Sequence, residues 1–320
     1  MPPPRGSSLL IVMFMCVFLI FCMISWSKSA ASGDVRMFSV NDVLSRNIWT
    51  QGSKSDLPVK VKEAYDRWHE CISGALLSKL DSPEQLWSSF REAVNTCYDQ
   101  TPMKNVKLSG VQNKDEYKFH IFNDTDKTPS VVITLGVGWD VLAEQKLKKI
   151  LPNGTLFFGA DPMYEENAAL YSTVGQFFPL AIGNETKLSK AFVMPKQLKG
   201  KYVFQTMVHL DVITFLTKLT RTPIIDQFLM DNEGPEYDLL PMMGVGQEFD
   251  QNGIVACQIN AEIHSGHTNF KERFAAVMKG LLNDRRYAIF KVVTTGHHRT
   301  FLLNFEDRKC VEKYIAQFFK

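Results

Sequence analysis

Three hydrophobic patterns succeed one another along this chain of 320 residues. The first is unbroken: Leu9 to Trp26 runs eighteen residues without a charge, about the minimum for a helix that crosses a bilayer. It is long for the apolar core of a cleaved signal peptide, although Ser29-Ala30-Ala31-Ser32 offers a signal peptidase small residues to cut at. Residues 1–29 therefore read as an uncleaved signal anchor with a transmembrane helix over 9–26, and a secreted product would follow if the segment were cut. The polar, irregular stretch 30–58 reads as a stem. The second pattern is helical. Tyr65, Trp68, Cys71 and Ile72 recur at three- and four-residue spacing. Ser82-Pro83-Glu84-Gln85 then supplies a cap, a first-position proline and an early acid. Two helices are expected between Val59 and Cys97, as a small helical extension covering 59–116.

The third pattern alternates strand and helix from about residue 117 to residue 320. The expected strands are Val131 to Leu135, Thr155 to Ala160, Phe177 to Ile182, Gln227 to Met230 and Ile254 to Ile263. Helices are expected up to Ile150, up to Tyr171, and over Leu210 to Leu219, Asn269 to Leu282 and Asp307 to Phe319. Tyr287 to Val293 and Thr300 to Phe305 form a closing hairpin around Thr295-Gly296-His297-His298. Such alternation predicts an α/β fold, a Rossmann-like, doubly wound, mostly parallel sheet with an antiparallel C-terminal hairpin.

Composition narrows the class. A net charge of +2, with no long run of one sign, leaves no electrostatic footprint for nucleic acid. Of six cysteines, Cys16 and Cys22 lie in the apolar segment. Cys71 and Cys97 sit in neighbouring helices and are a candidate disulfide in an oxidising lumen, whereas Cys257, in an apolar strand, is expected to be an unbridged core residue. Sequons at Asn123, Asn153 and Asn184 agree with a glycoprotein of the secretory route.

The chemistry gathers at strand ends, where open α/β sheets bind their ligands. Phe228-Leu229-Met230 runs straight into Asp231-Asn232-Glu233-Gly234-Pro235-Glu236, so Asp231 and Glu233 are expected at the mouth of a site. Gly136-Val137-Gly138 follows the first strand and lets a ligand approach the backbone, without the third glycine of a pyrophosphate loop. S-adenosyl-L-methionine is a ligand that needs such an approach but no anion nest. Asp161, 23 residues beyond Gly138, is placed to accept ribose hydroxyls, with Tyr164, Glu165 and Asn167 near the base. Asp140 reads as a capping acid that also reaches the cationic side of the cofactor. Gln258, Asn260, Glu262 and His264 share one face of a strand that should be apolar throughout, which suggests a polar pocket with His264 as general base beside Glu262. His264, His267, His297 and His298 match no closed zinc motif, and no metal is expected.

The segment from Asp231 to Glu236 resembles the Asp-x-Glu-Gly-x-Glu signature of FkbM-type methyltransferases. Gly159-Ala160-Asp161-Pro162, Leu180-Ala181-Ile182-Gly183 and Leu210-Asp211 fall in the expected order around it. The chain is more closely similar to a membrane-anchored animal branch, through Leu135-Gly136-Val137-Gly138-Trp139-Asp140 and Ala160-Asp161-Pro162, over about residues 128–305. The resemblance implies a Rossmann-like methyltransferase sheet with S-adenosyl-L-methionine as cofactor. It also implies O-methylation of a small molecule, glycan or lipid, with Asp161 on the ribose and Asp231 and Glu233 bordering the transfer pocket. The alternative is a catalytically inactive, membrane-tethered binding protein on the same fold.

Overall fold

Val131–Leu135 is a β-branched run buried on both faces, and the sheet is laid around it. The computed structural model describes residues 58–320 apart from Lys199 and His267. The expected anchor and the stem up to residue 57 lie outside the described residues, as does His267. Among the described residues no helix is long and apolar enough to cross a membrane.

Two helices come first, α1 (Val59–Leu76) and α2 (Pro83–Gln100). They bury Trp68, Ile72, Phe90 and Val94 in the same core as the sheet. Phe90 packs edge-on against Phe274, with ring centroids 4.9 Å apart. A hairpin of β1 (Ser109–Gln112) and β2 (Tyr117–His120) follows. The main sheet then takes β3 (Val131–Leu135), β4 (Leu156–Ala160), β5 (Gln176–Phe178), β9 (Ile224–Met230), β10 (Val255–Ile263), β11 (Tyr287–Thr295) and β12 (His297–Asn304). Their spatial order is β11-β12-β10-β9-β3-β4-β5, with β12 antiparallel to both its neighbours and every other pairing parallel. Helices α3 (Leu142–Ile150) and α4 (Tyr164–Tyr171) connect β3, β4 and β5. Helices α5 (Glu236–Met242) and α6 (Phe270–Asp284) follow β9 and β10. The strand order runs outward one way from β3 and the other way from β9, so a crevice opens between their C-terminal ends.

Three features depart from the sequence reading. The expected strand Phe177 to Ile182 breaks after Phe178, and β6 (Ala181–Gly183) joins a separate three-stranded sheet in the order β6-β8-β7. Its other members are β7 (Lys187–Val193) and β8 (Val203–Asp211), which carries Leu210 as strand, not helix. Asp211 ends β8 by accepting the Thr214 N–H at 2.7 Å, and helical backbone begins only at Val212. The second departure is Cys257. It is bridged to Cys310, while Cys71 is bridged to Cys97. The third is the polar face of β10. Gln258 bonds the N–H and C=O of Ile121 at 2.7 and 3.1 Å, and Asn260 bonds those of Phe119 at 2.7 and 2.8 Å. These two amides hold the segment around β2 onto the sheet, as one more row of backbone pairing would.

Candidate active site

The crevice is a cavity of about 330 Å³, walled on one side by the C-terminal ends of β3, β4 and β9 and on the other by the β6-β8-β7 sheet. The backbone loop after β3 is dictated by glycine. A Cβ on Gly136 would stand 1.7 Å from the Asp231 carbonyl oxygen, and its φ of +80° suits glycine alone. Gly138, with φ +59°, faces open space on the cavity wall.

Asp161 lines the cavity at the end of β4 and is 7% exposed. One oxygen accepts the Val137 and Gly138 N–H groups at 2.9 and 3.2 Å, and the other accepts Met163 N–H at 2.7 Å. Burial raises its pKa against these three bonds. Asn167 completes the clamp, accepting the Trp139 N–H at 2.9 Å and donating to the Met163 carbonyl at 3.0 Å. Asp161 is thus first the organiser of the glycine loop, with part of its acceptor capacity turned to the cavity. Asp140 does not line the cavity. Its carboxylate accepts the N–H groups of Leu142 and Lys114 at 3.0 and 2.7 Å, the capping role its position predicts.

The turn after β9 carries the acids. The Asp231 N–H continues the sheet onto the Leu135 carbonyl at 2.8 Å, and Asp231, Asn232 and Glu233 all line the cavity. Glu233 has a left-handed φ of 58°, a strain of about 1–2 kcal/mol for a residue with a side chain. Glu236 is fully buried, and its two oxygens accept from Gly234 N–H at 2.8 Å and from both the backbone N–H and ring Nδ1 of His264 at 2.8 and 2.9 Å. Burial opposes its ionisation, yet the His264 contacts outweigh burial and hold its pKa below the usual carboxylate value.

His264, 3% exposed, thereby presents Nε2 toward Asp231 Oδ1 at 3.5 Å and Glu233 Oε2 at 3.4 Å. Burial disfavours its charge, but Glu236 and then Asp231 and Glu233 push its pKa up to about 9. The three carboxylates therefore favour the protonated ring, and Nε2 faces the two acids on the cavity wall. Burial raises the pKa of Asp231 and of Glu233 as well. Glu262 does not line the cavity. It lies behind it, 3.1 Å from Arg299 Nε, in a network with Glu116 and Lys118, where burial and then Asp231 push it up to about 7.

The structure brings together Gly136, Gly138, Asp161, Asp231 and Glu233 around one cavity, with His264 directly behind. Sequence reasoning passed over the β7–β8 wall, which contributes Ser189, Phe192, Tyr202, Phe204 and His209. Burial and then the nearby Glu233 charge raise the Tyr202 phenol above its usual pKa. The alternating pattern of Val203, Gln205, Met207 and His209 was the available signal.

No curated protein matches the chain. Residues 101–309 match the family model described as the methyltransferase FkbM domain.

Proposed function

The chain belongs to the FkbM methyltransferase family, since that match covers more than half of it, and on that premise we propose an S-adenosyl-L-methionine-dependent O-methyltransferase. The observation that carries the reading is the meeting of the Gly136–Gly138 loop, Asp161 and the Asp231–Glu233 turn around one cavity at the point where strand order reverses. Two local features fit the cofactor. The wall is open above Gly138. Asn232 Oδ1 is a buried acceptor with no hydrogen-bond partner among the described residues, and it suits an amino group of the ligand.

Asp161 would accept a ribose hydroxyl with the capacity its backbone bonds leave. The cofactor supplies an electrophilic methyl group. Glu233, ionisable and on the cavity wall, would accept the proton of an acceptor hydroxyl. Tyr202 would orient that carboxylate, and the β7–β8 wall would exclude water. The polar and aromatic lining suits a hydroxylated small molecule, glycan or lipid as acceptor. The uncharged run 9–26 and two disulfides support a membrane-anchored protein of the secretory route facing the lumen or the cell surface.

Calorimetric titration of the full chain with S-adenosyl-L-methionine and with its demethylated product tests the cofactor. Micromolar binding is expected, weakened at least tenfold in Asp161→Ala and in Gly138→Val. If neither compound binds the wild-type chain, the methyl-donor reading is wrong. Cofactor binding without methyl transfer to any glycan, lipid or small-molecule fraction would turn the reading toward a binding protein on the same fold.

A further inference from the structure

Ligand atoms of three overlapping groups lie within 4.8 Å of one another at the end of the sheet: Asp231, Glu233 and His264; Glu262, His264 and His297; and Glu116, Asp231 and Glu262. Chemistry separates them. Glu116 and Glu262 already share the Arg299 guanidinium, at 2.9 and 3.1 Å, and Glu116 also holds Lys118 at 2.6 Å. His297 Nδ1 accepts the Ser265 N–H at 2.9 Å, so the neutral ring carries its proton on Nε2 and offers no second lone pair. Neither of the last two groups is a donor set for a cation.

The first group differs in three ways. Among the described residues, the only basic side chain within ion-pair distance of Asp231 or Glu233 is His264 itself. The Nε2 distances of 3.5 and 3.4 Å are too long for N–H···O hydrogen bonds. They equal the separation of neighbouring ligands around one ion bound at about 2.1–2.4 Å. The supporting contact is in place as well. Glu236, fully buried, bonds His264 Nδ1 at 2.9 Å, which fixes the tautomer that turns Nε2 toward the two carboxylates. A carboxylate behind the histidine is the usual outer shell of a metal-binding imidazole.

We propose that Asp231, Glu233 and His264 form a divalent-cation site on the cavity wall, the ion taking the place of the Nε2 proton. One histidine and two carboxylates, all on elements of the rigid sheet end, suit Mg²⁺, Mn²⁺ or Zn²⁺. Two of the three ligands line the cavity, so the ion would have open positions facing the acceptor. An acceptor carrying two adjacent oxygens, such as a vicinal diol or a hydroxy acid, is the class that such positions would chelate. The acceptor class rests on the methyltransferase reading, but the ion site does not.

The test uses the full chain, stripped with EDTA and titrated with Mn²⁺ alone, with free Mn²⁺ read by electron paramagnetic resonance. One saturable site per chain is expected. Asp231→Asn and Glu233→Gln, which keep shape and remove charge, should each weaken it at least tenfold, while the distant Asp126→Asn leaves it unchanged. Thermal melts identify any variant that has unfolded, and Glu236→Gln serves as an independent check with a loss of about 10- to 100-fold through the histidine. No saturable Mn²⁺ uptake by the wild type, or uptake indifferent to both ligand substitutions, overturns the site. Because no methyl donor is present, that result leaves the cofactor titration standing on its own.

Discussion

Strand β9 carries an aspartate near each end, and the two are treated in opposite ways. Asp226, 5% exposed, accepts the Val131 N–H at 2.9 Å on one oxygen, while Lys313 and the Tyr314 hydroxyl hold the other, with Lys313 at 2.8 Å. Asp231 stands a strand's length away beside Glu233, shares one imidazole with it and with Glu236, and feels the Lys118 charge from beyond ion-pair distance. One acid is neutralised and bonded on every side, which closes the sheet onto the C-terminal helical segment. The other is left with surplus negative charge beside a cavity. For a partly buried carboxylate such a deficit of cations is a moderate cost, which a ligand at the cavity would relieve. The contrast identifies the working end of the sheet independently of any resemblance.

The sharpest break of that contrast is at the cavity. Asp231→Asn or Glu233→Gln should lower methyl transfer by about 10²- to 10⁴-fold, the usual weight of a base or a preorganised charge, with the melting midpoint held within a few degrees. Activity within threefold of wild type in both would remove this turn from the reaction. At the other end, Asp226→Asn should leave turnover of the folded enzyme intact and destabilise it by about 3–5 kcal/mol, because Lys313 loses the charge of its buried partner. Chemical denaturation of the two variants side by side checks it. Equal stability of the Asp226 and Asp231 variants would erase the distinction.

The working end was legible in sequence because its signals are local. Asp231, Glu233 and Glu236 crowd one turn, Gly136 and Gly138 another, and Asp161 follows its own strand. What was misread depended on partners remote in sequence. Gln258 and Asn260 share a face with Glu262 and His264, and only the distant segment from Phe119 to Ile121 shows that the first two are structural. The bridge from Cys257 to Cys310 crosses 53 residues. The charge around His264 depends on Glu236, 28 residues earlier, which bonds its ring. The β7–β8 wall was missed because its strand β8 is amphipathic and half-exposed, a weaker pattern than the buried parallel strands.

Histidines repeat the contrast at smaller scale. His298 is as buried as His264 but meets only the Trp87 carbonyl at 3.0 Å and the Thr294 hydroxyl at 2.8 Å, and burial pushes its pKa down to about 4. His120, against Gln227, is likewise pushed down to about 4. Unfolded, both titrate near 6.5, so the unfolded chain binds more protons between these values. Their contribution is complete above pH 6.5 and is lost as pH falls toward 4, on the order of 3 kcal/mol for each ring. His298→Gln, whose amide can still meet the Trp87 carbonyl, should flatten that part of the acid limb in denaturation curves taken from pH 7 to 4. An unchanged limb would mean that the ring already titrates normally in the folded protein.

A tyrosine stands on an acid at each end of the sheet, and these two hydroxyls give the finest comparison. Tyr314, 2% exposed, donates to Asp226, whereas Tyr202, 40% exposed on the cavity wall, lies beside Glu233. Tyr314→Phe loses one hydrogen bond to a charged group, worth about 1.5–3 kcal/mol where water cannot replace it. For Tyr314→Phe that loss should appear in the unfolding free energy and nowhere in the kinetics. For Tyr202→Phe, at a partly exposed position on the cavity wall beside Glu233, stability should hold and the KM for the acceptor should rise about fivefold, roughly 1 kcal/mol, with kcat within a factor of two. A fall in kcat of a hundredfold would instead place the Tyr202 hydroxyl on the transferred proton. A fall in stability with no kinetic change would make the wall part of the frame, because the hydroxyl would then be holding β8 to the sheet end and not the carboxylate to its substrate.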